Sequence, residues 1–299
     1  MFKGSLVAIV TPFRNGKLDE QALGRLIDWQ IAEGTHGIVP CGTTGESATL
    51  SHQEHQRVIE FTISAVNRRV PVIAGTGSNS TEEAIALTRH AKQAGADGAL
   101  LITPYYNKPT QEGLYQHYRS IAESVDLPLM LYNIPGRTSV NMLPATVARL
   151  AHIPTIVSIK EGSGSIQQID EVLQLCGDRL SVLSGDDAMT LPMMALGGQG
   201  AVSVVANVAP RETAALITSA AKGDFAQART MHRRLLPLTN ALFLETNPIP
   251  VKTALALMGK CGGELRLPLC AMQPETKQKL TEALRRHGLI APVVSPVEP

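Results

Sequence analysis

The chain has 299 residues, 44% hydrophobic and 18% charged, which excludes a disordered tail protein and leaves enough apolar material for a large core. Its 27 Lys+Arg stand against 26 Asp+Glu, a net charge of +1, so no strong field draws in nucleic acid or an anionic membrane, and neither is expected as a partner. No apolar run reaches the ~18 to 20 residues of a membrane helix and no secretory leader is visible, so Cys41, Cys176, Cys261 and Cys270 are expected as reduced thiols in the cytoplasm. None belongs to a CxxC pattern, and neither a disulfide nor a metal site is expected of them.

Short apolar, β-branched runs recur at residues 6–10, 37–41, 70–74, 98–102, 128–132, 155–159, 180–183 and 201–205, each followed by a turn and a helix-periodic stretch. Each run is apolar on both faces, as a parallel strand between a core and covering helices must be. The helices carry recognisable ends. Ser51 stands three residues before Glu54 and Ser80 three before Glu83, both capping boxes; Pro144 suits a first turn, and Gly34 and Gly95 suit helix C-termini. Eight βα units in about 220 residues predict an α/β protein of the (β/α)₈ TIM-barrel type, not an open doubly wound sheet of five or six strands. No Gly-x-Gly-x-x-Gly follows the first strand, so dinucleotide binding has no support. Beyond residue 222 helices are predicted near 225–240, 248–259 and 275–287, then a Pro-rich tail from Pro292. The expected organisation is a barrel over residues 1–222 with a C-terminal helical extension, 223–299, packed on it; a separate small domain is the alternative.

In such a barrel the chemistry lies where strands end and βα loops begin. Of the ten lysines, nine fall in segments read as loops, helices or tails and are expected as solvated charges. Lys160 directly follows the sixth strand run and precedes Glu161-Gly162, inside an apolar wall. Burial there favours a neutral, nucleophilic amine of the kind that forms a Schiff base with a carbonyl. A lysine snorkelling from the barrel mouth, or paired with Glu161, fits the same position. Tyr132 ends the preceding strand run, one βα unit away, where a phenol can carry protons during imine formation or merely fill space.

After the second run, Gly42-Thr43-Thr44-Gly45-Glu46 makes a tight turn whose N–H and O–H groups suit a small carboxylate, though a plain loop has the same composition. Pro104-Tyr105-Tyr106-Asn107 follows the fourth run; a hydroxyl relay of Thr44, Tyr106 and Tyr132 competes there with a loop of packing aromatics. After the fifth, Ile134-Pro135-Gly136-Arg137-Thr138 brings to the mouth a guanidinium able to hold a carboxylate through two parallel bonds, or a surface charge.

Taken together, the GTTGE turn, the Pro-Tyr-Tyr loop, Tyr-Asn-Ile-Pro-Gly-Arg-Thr and the Ser-Ile-Lys-Glu strand resemble the dihydrodipicolinate synthase and N-acetylneuraminate lyase family, in order and spacing from Leu6 to about residue 260. Within it the likeness is strongest to members that condense pyruvate with L-aspartate 4-semialdehyde on the way to lysine and diaminopimelate. The resemblance implies that Lys160 forms the imine with pyruvate and that Thr44, Tyr106 and Tyr132 relay protons, Tyr106 serving a neighbouring subunit. It implies that Thr43 and Thr44 hold the pyruvate carboxylate, that Gly185 and Val202 line the pocket through main-chain atoms, and that Arg137 receives the second substrate's carboxylate. Ser47, Ala48, His52, His55, Asn79, Glu83 and Tyr105 match the positions where sensitive members bind L-lysine as an effector; ordinary helix-surface histidines are the alternative for His52 and His55. No cofactor or metal is implied, and the assembly implied is a homotetramer built as a dimer of dimers. The alternatives are a sibling aldolase cleaving N-acetylneuraminate or a 2-keto-3-deoxy sugar acid, a metal-dependent aldolase or hydrolase, and a catalytically silent binding barrel.

Overall fold

The structure, a computed structural model, describes residues 1–291. Eight parallel strands, β1 (Gly4–Ala8), β2 (Gly37–Val39), β3 (Ile73–Gly75), β4 (Gly98–Ile102), β5 (Leu129–Asn133), β6 (Ile156–Glu161), β7 (Ser181–Ser184) and β8 (Gly200–Ser203), form one sheet. β1 pairs with both β2 and β8, and a parallel bridge from Ile38 to Val72 closes the ring between β2 and β3. The (β/α)₈ expectation is met in number, order and direction. Strand bounds move by a few residues because burial outlasts the ladder: Ile9 and Val10 are buried in the loop beyond β1, the Ile9 N–H still donating to the Val39 carbonyl at 3.1 Å.

Local signals explain most helix ends. Ser51 caps helix His52–Val66 with a complete capping box, and Pro144 opens Pro144–Leu150. The second expected box is only half formed: Ser80 accepts from the Glu83 N–H at 3.4 Å, but the Glu83 carboxylate turns to His52 and Ser78 instead. A hairpin of Phe13–Arg14 with Lys17–Leu18 was not anticipated, although Asn15-Gly16 at its tip, with φ of 54° and 75°, is a strong hairpin signal.

Inside the ring, Leu6, Ala8, Val39, Ile73, Leu100 and Met130 form a dry core, and Phe2 plugs the lower end so closely that a Cβ on Gly98 would lie 2.4 Å from its ring. Beyond the barrel come helices Phe225–Ala241, Ile249–Leu257 and Pro274–His287, near the expected places and packed on the barrel helix Pro210–Ala221 and on one another. The Pro-rich tail from Pro292 lies outside the described residues. No helix among the described residues is long and apolar enough to cross a membrane, and all four cysteines are free thiols.

Candidate active site

The juxtaposition of Lys160 and Tyr132 depends on an irregularity. Leu129 of β5 pairs with Ile156 of β6, but Met130 already pairs with Ser158, so β6 carries one extra residue there. Without that bulge Tyr132 would stand opposite Ile159; with it, Tyr132 pairs with Lys160. Because pleated side chains alternate with period two, the one-residue shift brings both onto the lumenal face. The bulge is backed by Ser181, whose hydroxyl bonds to the Val157 carbonyl at 3.3 Å and to Ser158 Oγ at 2.5 Å.

Lys160 is 5% exposed, and its Nζ stands 4.0 Å from the centroid of the Tyr132 ring. Among the described residues its Nζ makes no hydrogen bond or ion pair. Glu161, the partner that the sequence left open, lies on the opposite face, where it accepts from the Ser163 N–H at 2.6 Å, Asn133 Nδ2 at 3.1 Å and Gln168 Nε2 at 3.4 Å. Gly185 borders the lysine: a Cβ there would meet Lys160 Cγ and the Glu161 carbonyl at 3.2 Å, a tight contact that would crowd the stem. Val202 is buried in the barrel interior near the same end.

The second strand end supplies the turn. Gly45, Glu46 and Ser47 donate back to Gly42 and Thr43 carbonyls, and Cys41 and Glu46 take φ of 55° and 53°. Thr43 lines a small cavity of about 40 Å³ together with Tyr132. Thr44 is buried, and its hydroxyl accepts from Asn247 Nδ2 at 2.9 Å. Arg137, exposed in the short helix Pro135–Thr138, donates to the Asn247 carbonyl at 3.1 Å. One residue of the C-terminal extension thus ties the turn to the guanidinium. Sequence reasoning missed Asn247; its only signal is an Asn-Pro turn dipeptide ahead of an apolar helix.

Tyr106 is not brought into this chain's own site. It is 90% exposed with φ of 70°, carried outward by the loop after β4, and among the described residues no hydrogen bond links it to Thr44 or Tyr132. Of the seven residues read as an effector site, Ser47, Ala48, His52, His55, Glu83 and Tyr105 line one cleft of about 430 Å³ that also takes in Thr43, Arg137 and Asn247, while Asn79 does not line it and only bonds to the Tyr105 carbonyl. There His52 Nε2 meets Glu83 Oε1 at 2.7 Å, His55 Nε2 meets the Gly75 carbonyl at 2.8 Å, and Asn79 donates to the Tyr105 carbonyl at 3.3 Å. Burial lowers the His55 pKa, and the Ser78 and His52 bonds lower that of Glu83. A Cβ on Gly75 would lie 2.2 Å from the Cys41 carbonyl, which lets β3 close on the turn.

The arrangement offers a buried amine, unpaired among the described residues, beside a phenol at a strand end, with Thr43 of the turn lining a cavity with that phenol and a guanidinium bonded to the residue that holds Thr44. The model of the dihydrodipicolinate synthetase family matches residues 1–287. The chain belongs to that family. A 4-hydroxy-tetrahydrodipicolinate synthase of Thermodesulfovibrio yellowstonii is 62% identical over 290 residues, 97% of this chain and 100% of its own. A chloride-inhibited dihydrodipicolinate synthase from Acinetobacter baumannii, complexed with pyruvate, superposes with a TM-score of 0.96 at 48% identity, over 97% of this chain and 100% of that one. A synthase from Cyanidioschyzon merolae with lysine bound gives 0.94 at 42% identity, over 97% and 99%. The enzyme class implied by the sequence holds: the family member described here is a lyase, as its curated relatives are.

Proposed function

We propose that this enzyme condenses pyruvate with L-aspartate 4-semialdehyde to 4-hydroxy-tetrahydrodipicolinate, supplying lysine and diaminopimelate synthesis in the cytoplasm, through a Schiff base on Lys160. The observation that carries the reading is the Lys160 amine over the Tyr132 ring, unpaired among the described residues. The Lys160 nitrogen adds to the pyruvate ketone, and Tyr132 passes the proton that lets water leave the carbinolamine. The protonated imine then withdraws electrons so that a methyl proton is lost and an enamine forms. Its carbon attacks the aldehyde, whose oxygen takes up a proton. The amine of the second substrate closes on the imine carbon and releases Lys160. Thr43 and Thr44 hold the pyruvate carboxylate, with Gly185 and Val202 lining the pocket, and Arg137 takes the carboxylate of the aldehyde.

Thr44 hands protons between Tyr132 and a tyrosine from a neighbouring subunit, the role we assign to Tyr106 in a dimer-of-dimers tetramer. The outward, 90% exposed Tyr106 supports that exchange, since it leaves its own site and is uncovered among the described residues. L-lysine is proposed as an effector bound by Ser47, Ala48, His52, His55, Asn79, Glu83 and Tyr105, a reading supported by the Glu83 carboxylate and the two imidazoles that line one ligand-sized space, with Asn79 bonded to the Tyr105 carbonyl at its edge. Turnover decides the substrate. Pyruvate with L-aspartate 4-semialdehyde is expected to be consumed, whereas release of pyruvate from a 2-keto-3-deoxy sugar acid, without that condensation, would make the chain the sibling aldolase. Calorimetric heat with L-lysine and loss of activity on its addition are expected together; the absence of both would remove the effector.

A further inference from the structure

A second lysine is buried more completely than Lys160. Lys252, in helix Ile249–Leu257 of the C-terminal extension, is 0% exposed, and its Nζ lies 2.6 Å from Glu46 Oε1, 2.9 Å from the Thr11 carbonyl and 4.2 Å from the Phe13 ring centroid. We propose that Lys252 and Glu46 are positioning residues for the carboxylate-binding turn, tethering it from beneath to the C-terminal extension so that Thr43 and Thr44 present their groups to pyruvate.

Three observations converge on that role. Glu46 is the last residue of the Gly-Thr-Thr-Gly-Glu turn and is held with φ of 53°, a conformation that a non-glycine residue keeps only where its surroundings enforce it. Its second oxygen accepts from the Arg266 N–H at 3.1 Å, so both carboxylate oxygens are committed to the extension. The Thr11 carbonyl that Lys252 grips belongs to the residue whose hydroxyl donates to the Gly45 carbonyl at 2.7 Å, so the cation fixes the residues on the C-terminal side of Thr44 twice over. Asn247, five residues before Lys252, holds the Thr44 hydroxyl itself.

A buried ion pair is a weak source of stability compared with apolar packing of the same volume, but it fixes geometry sharply because neither charge tolerates losing the other. Burial lowers the Lys252 pKa, with the Glu46 charge working against that shift. Neither residue bonds to Lys160 or Tyr132, and Glu46 reaches the cleft beside Thr43 with both carboxylate oxygens already engaged, so the role assigned is positioning.

The inference rests on the reading that this turn receives pyruvate, and the test separates the two. Wild-type protein treated with pyruvate and borohydride must first give the covalent adduct; a wild-type protein that traps no pyruvate overturns the underlying reading and this inference with it. The double variant Lys252→Met with Glu46→Gln removes both charges at once. It is expected to fold, with the wild-type circular-dichroism spectrum, and still to trap pyruvate on Lys160 at saturation. Its KM for pyruvate is expected to rise about tenfold, and kcat to fall about threefold. Wild-type kinetic constants in that folded variant would overturn the proposal. Failure of the double variant to fold would overturn it too, because the pair would then maintain the fold as a whole and not the placement of the turn.

Discussion

The two buried lysines differ in what surrounds the amine, and the difference separates the one proposed to react from the one proposed to hold structure. Lys252 has its counter-ion at 2.6 Å, a carbonyl at 2.9 Å and an aromatic face, so its charge is satisfied where it stands. Lys160 has, among the described residues, the Tyr132 ring at 4.0 Å and no hydrogen bond or ion pair. Burial is common to both. Among the described residues no hydrogen-bonding or charged partner holds the Lys160 nitrogen, whereas at Lys252 the Glu46 carboxylate and the Thr11 carbonyl hold the nitrogen in place.

Removing each amine breaks the comparison in a different quantity. Lys160→Ala is expected to lower kcat/KM by on the order of 10⁴-fold or more, the scale of losing a covalent nucleophile, while thermal unfolding is little changed. Lys252→Met alone is expected to do the reverse. It strands the Glu46 carboxylate in the interior and costs about 3–5 kcal/mol in chemical denaturation, so that stability is hit harder than chemistry. Equal effects of the two substitutions on stability would erase the distinction.

Smaller effects sharpen it. Tyr132→Phe keeps the ring over Lys160 and removes only the proton carrier, so imine formation followed by stopped-flow is expected to slow by about 10²-fold. Arg137→Ala is expected to leave pyruvate trapping intact and to reduce kcat/KM for the aldehyde by about 10- to 100-fold, since a charged hydrogen bond to substrate is lost. Equal loss of both would make Arg137 a support for Asn247 alone.

His117 tests the rule on a weaker base. It is 5% exposed, bonded through Nδ1 to Thr81 Oγ1 at 2.9 Å with Nε2 unpartnered among the described residues, and burial lowers its pKa to about 4. The unfolded chain, with histidine near ~6.5, binds a proton between these values that the native state refuses. Its contribution to stability therefore declines as pH drops from 6.5 toward 4 and levels off below. At pH ~5.5 the loss relative to neutral pH is about 1 kcal/mol, and His117→Gln is expected to flatten that part of the stability profile. An unchanged slope would show that burial does not suppress the charge there.

Much of this was legible before any coordinates. The eight strands announced themselves because parallel strands buried on both faces are continuously apolar, and Lys160 stood out as a charge at the end of one. What was not legible was register. Nothing in Thr155-Ile156-Val157-Ser158-Ile159 signals the extra residue that sets Lys160 beside Tyr132, since a bulge is decided by pairing across strands. Lys252 was misread as a solvated helix charge because each lysine was weighed by element type. A lone lysine in Ile-Pro-Val-Lys-Thr-Ala-Leu-Ala-Leu, a segment apolar nearly all round, carried the signal of burial. Asn247 and Arg266 act over more than 100 residues of sequence separation, which no local pattern encodes.

The most direct test is the mass of the protein after borohydride reduction in the presence of pyruvate, with the modified residue mapped by peptide sequencing. A single adduct on Lys160, with Lys252 untouched, is the result expected of one free and one committed amine. Modification of Lys252, or no adduct on Lys160, would contradict the account.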